Sequence, residues 1–460
     1  MKVGLVATAA WGVYGVIAAL MAALALWSWG GAIALRGPVL YGEGAVAHAA
    51  SLAPRFGMYA EPAGVTFTAA NYPPLYLVAA GLGDPFVTGR LLSVAATLAV
   101  AGLIAWRARA APRAVQAVLG VGWLALAPVA IWGAAVKPDL VAVALSVSAV
   151  LALERRHVRR AAVLLVLASL AKPTAILVTV ALLLWVAARD RELLRRFLVA
   201  GGIAAAVAAL ALVPFGYGGL WLHVVRWNQL PWTLESAALL LFVAVVVYAA
   251  LVGTGLLARA FSGSIGAYAA AGLGIVLLGG REGATINYLL DLGAAASLAL
   301  AGVAPVLARS ARYPAIAIVN LVLAALLLDP LGIVPGRAAT TGAWGDPARL
   351  AAVKTELSAD EHVLAEDSGL LVATGHQVSL DDLFLWSRLV ASGAIDPGPV
   401  LLEVRAARYT AIVSEVDLAH LGAAAGYERA RWEPSLVQAI VERYRLAARL
   451  PGGLFVYRPR

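Results

Sequence analysis

The chain has no cysteine among its 460 residues. Disulfides, a thiol nucleophile and a thiolate metal site are therefore excluded. Charge is scarce too: Asp, Glu, Lys and Arg make up 13% of the sequence, against roughly 25% in a soluble domain. Histidine numbers six, and a lone histidine is a weak metal signal. No glycine-rich nucleotide fingerprint is present, and no internal repeat is visible. What dominates is apolar: 62% of residues are hydrophobic and the mean hydropathy is +0.86. A soluble chain of this length cannot hide that much apolar surface. The composition predicts a polytopic α-helical membrane protein.

Apolar runs of about 20 residues, the length that spans a bilayer, recur over 9–330. They fall at about 9–33, 88–106, 114–132, 138–153, 161–188, 197–214, 236–258, 262–279, 287–306 and 313–330. Residues 9–29 read as an uncleaved first span, since no convincing cleavage context follows. The run 161–188 is long for one span, is broken at Lys172-Pro173 and is bounded by arginines. Proline removes a helix hydrogen bond, so this stretch predicts two short helices meeting at a turn. With that count there are about 11 transmembrane helices. Arg107, Arg109, Arg113, Arg155, Arg156, Arg159, Arg160, Arg189, Arg191, Arg195, Arg196, Arg259, Arg309 and Arg312 then share one side. Basic loops mark the cytoplasmic side. The formal charge of +9 thus reports orientation, and nucleic acid is not expected as a partner. The N-terminus is placed inside; loop 34–87, loop 216–235, Arg281 and residues 340–460 are placed outside.

Ionisable residues in or near hydrocarbon are expensive, so those at span ends are functional candidates. Glu43, just after the first span and flanked by Gly42 and Gly44, is the candidate catalytic base. Small neighbours would leave its carboxylate open, and a base must reach the attacking hydroxyl. The alternative is a solvated interfacial glutamate. His48 lies near enough to assist, or to join Glu43 on a metal. Asn71, Tyr72 and Tyr76 sit in a stiff aromatic stretch with Pro73 and Pro74 at a helix start, with a short surface helix over 75–82. The tyrosines could line a sugar subsite or anchor the interface. Lys137, Lys172, Arg281, Arg226 and Arg90 form the candidate phosphate-binding set, since arginine offers a fork of donors and lysine a point charge. Asp139, His223, Asn287 and Tyr288 join the candidate sugar or acceptor pocket. The competing reading pairs these charges within the bundle, Lys137 with Asp139 or Arg281 with Asp291.

Several segments together resemble the GT-C superfamily of membrane glycosyltransferases, in particular bacterial relatives of protein mannosyltransferases and of the lipid A aminoarabinose transferases (families 39 and 83). They are Tyr41-Gly42-Glu43-Gly44, Asn71-Tyr72-Pro73-Pro74-Leu75-Tyr76, Gly89-Arg90-Leu91-Leu92-Ser93, Lys137-Pro138-Asp139-Leu140, Leu170-Ala171-Lys172-Pro173-Thr174 and Gly283-Ala284-Thr285-Ile286-Asn287-Tyr288. They fall within residues 38–291. The resemblance implies an enzyme that moves a sugar from a polyprenyl-phosphate carrier to a hydroxyl of an envelope glycan, lipid or protein, with inversion. It implies an acid in the first outer loop as catalytic residue, matched by Glu43, and basic residues at outer span ends holding the carrier phosphate. The family often shows an Asp/Glu pair in that loop, whereas this chain has one acid between glycines. No cofactor is implied, although some relatives need a divalent metal. The implied setting is a bacterial or archaeal cell membrane, with active site and C-terminal domain extracytoplasmic and membrane lipids as neighbours. A lipid-linked glycan transporter or flippase, a non-catalytic envelope assembly protein and, within the enzyme class, a lipid-linked oligosaccharide ligase are the alternatives.

The domains expected are 1–335, a transmembrane glycosyltransferase domain with outer loop 34–87, and 341–460, a small α/β domain. In the latter, 363–365, 370–372, 409–413 and 455–457 read as strands and 381–391 and 434–448 as helices. Glu366, Asp367, Asp381, Asp382 and Asp417 read as solvated acidic loops.

Overall fold

The computed structural model describes residues 2–328 and 346–460, and every apolar run expected from the sequence is helical in it. The expected domain boundary at 335–341 and the end of the last run at 330 lie outside the described residues. Among the described residues five helices are long and apolar enough to cross a bilayer: Leu5–Leu35, Pro85–Arg107, Arg191–Phe215, Leu234–Leu257 and Ile286–Leu307. Ala175–Ala187, Gly263–Leu278 and Arg312–Ala324 are shorter apolar helices. The run 114–132 is two helices, Arg113–Leu124 and Ala127–Trp132, the second with proline in its first turn, where no amide is needed.

The stretch 161–188 breaks where proline requires it. Val158–Ala171 ends, Lys172 is extended (φ −144°, ψ 129°), and Ala175–Ala187 begins. Each helix is about 20 Å long at 1.5 Å per residue, short of the ~30 Å hydrocarbon core. The face that Arg191–Leu212 presents outward is apolar: Leu198, Ile203, Val207 and Leu210 are all exposed. Such a surface is stable against lipid tails and unfavourable in water by about 25 cal/mol per Å². The chain is a multi-pass α-helical membrane protein.

The described residues form two compact units. The first, residues 2–30, 90–212 and 230–328, is a helical bundle. Val158–Ala171 packs against Asp139–Glu154 and Arg191–Leu212; Gly263–Leu278 packs against Ala175–Ala187 and Leu290–Leu307; Leu234–Leu257 packs against Arg312–Leu328. Leu290–Leu307 is mostly buried, and its small residues let neighbouring backbones approach closely.

The second unit comprises residues 31–89, 213–229 and 346–460. The expected loop 34–87 is folded: helix Glu43–Leu52, two short 3₁₀ turns and helix Pro74–Ala80, which matches the short helix expected there. Its C-terminal part holds a four-stranded mixed sheet of β1 (Val363–Ala365), β2 (Ala411–Ser414), β3 (Tyr444–Leu450) and β4 (Leu454–Pro459), in the order β1-β2-β4-β3. β1 and β2 are parallel; β4 runs antiparallel to both β2 and β3. Val353, Val363, Leu371, Val413 and Val456 centre its core. Two expectations are corrected. Residues 370–372 lie in helix Ser368–Thr374, which Asp367 caps through the Gly369 amide and Gly375 ends at φ 79°. The expected helix 434–448 stops at Arg443, and β3 starts at Tyr444, where pairing with β4 overrides local helical pattern.

Candidate functional site

In the helical unit the polar candidates meet at Asp139. This residue opens helix Asp139–Glu154, where the helix dipole favours a carboxylate. Its Oδ1 accepts from Lys172 Nζ at 2.5 Å and from Asn287 Nδ2 at 2.7 Å; its Oδ2 accepts from Trp132 Nε1 at 3.3 Å. Asp139 and Lys172 are both buried. The proline break thus places Lys172 at a helix end, free to reach the start of another helix. Asp139 pairs with Lys172, a partner 33 positions along the chain, and Asp291 accepts from Tyr268 at 2.9 Å.

Tyr288 joins two of the cations. Lys172 Nζ lies 4.9 Å from its ring centroid, and the Arg281 guanidinium donates to its hydroxyl at 3.0 Å. Arg281 and Tyr288 share a short irregular connection, in which Thr285 bonds Asn287 and a 3₁₀ turn Ile286–Leu289 leads into the next helix. Lys137 is half-buried in the turn before Asp139, and Ser93 donates to the carbonyls of Ala135 and Lys137 at 2.7 and 3.1 Å. Arg90 lies one turn before Ser93 on the same helix and is fully buried. The structure therefore brings Lys172, Asp139, Asn287, Tyr288 and Arg281 into one network. Arg226 belongs to the second unit, exposed on a short π-helical turn Leu222–Arg226.

In the second unit Glu43 is not open. It is fully buried at the first turn of Glu43–Leu52, and its Oε2 accepts from the amides of Val39 at 2.7 Å and Leu40 at 3.3 Å. The flanking glycines serve the fold. Gly42 takes φ 78° to turn the chain into the helix, and a Cβ on Gly44 would collide with the backbone of Gly369 and with Ser368. They permit close approach of helix Ser368–Thr374, which covers the carboxylate instead of exposing it. The expected open carboxylate is thus corrected.

His48 lies one turn beyond Gly44 on the same face. Its Nδ1 faces Asp381 Oδ2 at 3.0 Å, so it pairs with a carboxylate far along the chain and not with Glu43 on a metal. Asp381 is buried and fixed: its Oδ1 accepts from the Ala69 amide at 2.7 Å, its own amide donates to Phe67, and its carbonyl accepts from Ser368 Oγ at 2.5 Å. Burial pushes the Asp381 carboxyl up to about 6, against the opposing bond from His48. Among the described residues no cluster of His, Asp and Glu is suited to a metal ion.

Two other pocket candidates are committed to backbone. His223 is buried, with Nδ1 accepting from Ala70 at 3.2 Å and Nε2 facing the Ala60 carbonyl at 3.0 Å. Burial pulls it down to about 4, so the ring is neutral. Tyr76 is buried and donates to Gly89 at 2.9 Å. Asn71 and Tyr72 are half-buried, and their carbonyls accept from Asn228 and Tyr59.

The supposed solvated acids are also corrected. Glu366, Asp367 and Asp381 are buried; Asp382 and Asp417 cap helical turns. Arg431 bonds Glu366 at 3.0 Å and Glu415 at 2.6 Å, and lies 3.8 Å over the Tyr41 ring; Arg349 pairs with Glu415. Burial and the Glu415 charge push Asp367 up to about 7. Sequence reasoning missed Asp381, Arg431, Glu415 and Trp132 as partners. Each acts across a long sequence separation that local pattern does not encode.

No family model matches the chain, and no curated protein does. Solved structures do. The crystal structure of ArnT from Cupriavidus metallidurans in the apo state matches with a TM-score of 0.55 at 16% identity, covering 95% of this chain and 97% of that one. The structure of the same protein bound to undecaprenyl phosphate matches with a TM-score of 0.54 at 16% identity and the same coverage. ArnT is a lipid A aminoarabinose transferase with the GT-C fold, and over nearly its whole length the present chain has that fold.

Proposed function

We propose that the chain is a polyprenyl-phosphate-dependent glycosyltransferase, moving a sugar from the lipid carrier to a hydroxyl of an envelope glycan, lipid or protein. The observation that carries this reading is the polar network of Lys172, Asp139, Asn287, Tyr288 and Arg281 in an otherwise apolar bundle. Polar groups at such depth are costly and mark ligand sites. The fold shared with a protein crystallised on undecaprenyl phosphate supports the choice of ligand.

In this reading Arg281, with Lys137 and Arg90 nearer the helix ends, takes the carrier phosphate. Lys172 is neutralised by Asp139 and acts chiefly by holding Tyr288 and Asn287 in place. A fixed guanidinium stabilises the charge that develops as the lipid phosphate departs. Attack by the acceptor opposite the departing phosphate inverts the anomeric carbon. The C-terminal part and loop 34–87 lie on the extracytoplasmic side, opposite the arginine clusters.

The test is binding of undecaprenyl phosphate to the purified protein, beside mass spectrometry of envelope glycans in cells with and without the gene. Specific binding, weakened about tenfold or more by Arg281→Gln, and loss of one glycan modification on deletion are expected. Unchanged glycans with impaired movement of a lipid-linked sugar across the membrane would make the protein a flippase. No lipid binding and no glycan change would overturn the reading.

A further inference from the structure

We propose that Pro231-Trp232-Thr233 is the positioning element for Arg281, with Trp232 as the residue that locks it in place. This rests on the glycosyltransferase reading, in which Arg281 takes the carrier phosphate, and deepens it by naming what fixes that guanidinium.

Arg281 stands on a connection with little stiffness of its own. Three of the five residues 279–283 are glycine, which loses more conformational freedom on ordering than any other residue. The stretch runs from the end of helix Gly263–Leu278 toward the 3₁₀ turn Ile286–Leu289. A cation on a loose link has to be ordered by each phosphate it binds, and that ordering is lost from affinity.

The segment before helix Leu234–Leu257, in the same compact unit, supplies the missing stiffness. Trp232 and Arg281 face each other across a single antiparallel bridge. On either side of it the Thr233 amide donates to the Gly280 carbonyl and the Glu282 amide to the Pro231 carbonyl, both at 2.8 Å. The Trp232 indole donates to the Leu277 carbonyl at 2.9 Å, in the last turn of the preceding helix. It lies so close over Gly280 that a Cβ there would come within 2.3 Å of the indole nitrogen. The segment is itself anchored, since the Thr233 hydroxyl accepts from the Ser236 amide at 3.2 Å and caps the next helix. Two helices are thus tied together through the residues on both sides of Arg281. From that fixed backbone the guanidinium reaches the Tyr288 hydroxyl at 3.0 Å. Donors held in place before the ligand arrives stabilise a phosphate without further reorganisation. Trp232 is half exposed, as an interfacial anchor would be, but an anchor needs neither the bond to Leu277 nor the close fit on Gly280.

The experiment is a double-mutant cycle on the purified full chain, read as the affinity for undecaprenyl phosphate. Trp232→Ala is expected to weaken binding about fivefold or more, and Arg281→Gln about tenfold or more. Added to Arg281→Gln, Trp232→Ala is expected to weaken it less than about twofold further, because residues that act through one another are not additive. A merely structural or anchoring tryptophan would give the same factor in both backgrounds, and that result would overturn the proposal. So would wild-type affinity in Trp232→Ala. Trp232→Phe keeps a ring and removes the donor to Leu277. It is expected to fall between wild type and Trp232→Ala, and the same cycle run with it decides the case if Trp232→Ala does not fold. Specific binding by wild type that Arg281→Gln leaves intact would overturn the proposal while sparing the carrier-lipid reading. No binding by wild type would refute that reading itself, and the proposal with it.

Discussion

Replacing Asp139 by asparagine keeps the shape of the side chain and removes its charge. Lys172 is then a buried cation without its nearest counter-charge, since it lies 2.5 Å from Asp139 with both side chains almost wholly enclosed. Breaking a buried pair from one side costs about 3–5 kcal/mol. Two further bonds, from Asn287 and Trp132, weaken because a neutral acceptor is poorer than a carboxylate. With an unfolding entropy of about 2.1 cal/mol/K per residue, a chain of this length changes by roughly 1 kcal/mol per degree. Asp139→Asn should therefore lower Tm by about 3–5 °C in detergent, read from tryptophan fluorescence. Replacing both partners, Asp139→Asn with Lys172→Met, removes the uncompensated charge and should recover at least half of that loss. Asp291 keeps its bond to Tyr268 in both variants. An unchanged Tm in the single variant, or a double variant as unstable as the single, would refute the argument that these charges hold each other.

Three other outcomes are expected. Gly44→Ala forces a Cβ against the Gly369 backbone, an overpacking that should destabilise the protein by about 1–3 kcal/mol; an unchanged Tm would sink this. Asp381 has a folded pKa raised by burial to about 6, so the folded state binds the extra proton and stability falls as pH rises from about 4 through 6. The Tm difference between wild type and Asp381→Asn, scanned across that window, should move against wild type and then level off above it; a flat difference would show that burial does not strain this carboxylate. Because the chain has no cysteine, single cysteines at His157 and His420 report sidedness directly: the first should be protected from outside reagents and the second should react, and labelling of both would overturn the orientation.

What the sequence determined is what local chemistry encodes. Apolar runs and arginine loops sufficed for a multi-pass helical membrane protein, because hydropathy and charge act residue by residue. Lys172-Pro173 sufficed for the helix break, because proline cannot donate. The segments Lys137-Pro138-Asp139 and Ala284–Tyr288 were legible as polar and therefore costly. Tertiary structure alone decided their partners. It joined Asp139 to Lys172 and Asn287, placed Tyr288 between Lys172 and Arg281, and set His48 on Asp381, 333 positions away. It also reversed the meaning of the glycines around Glu43: small residues permit close approach, and only the fold says whether a substrate or another helix approaches. The same holds for Glu366 and Asp367, polar in sequence yet buried, since arginines from distant segments supply the compensating charge. Residues 370–372 and 444–448 went the other way from their local pattern, because a cap at Asp367 and the β4 ladder supply bonds that short apolar runs cannot specify.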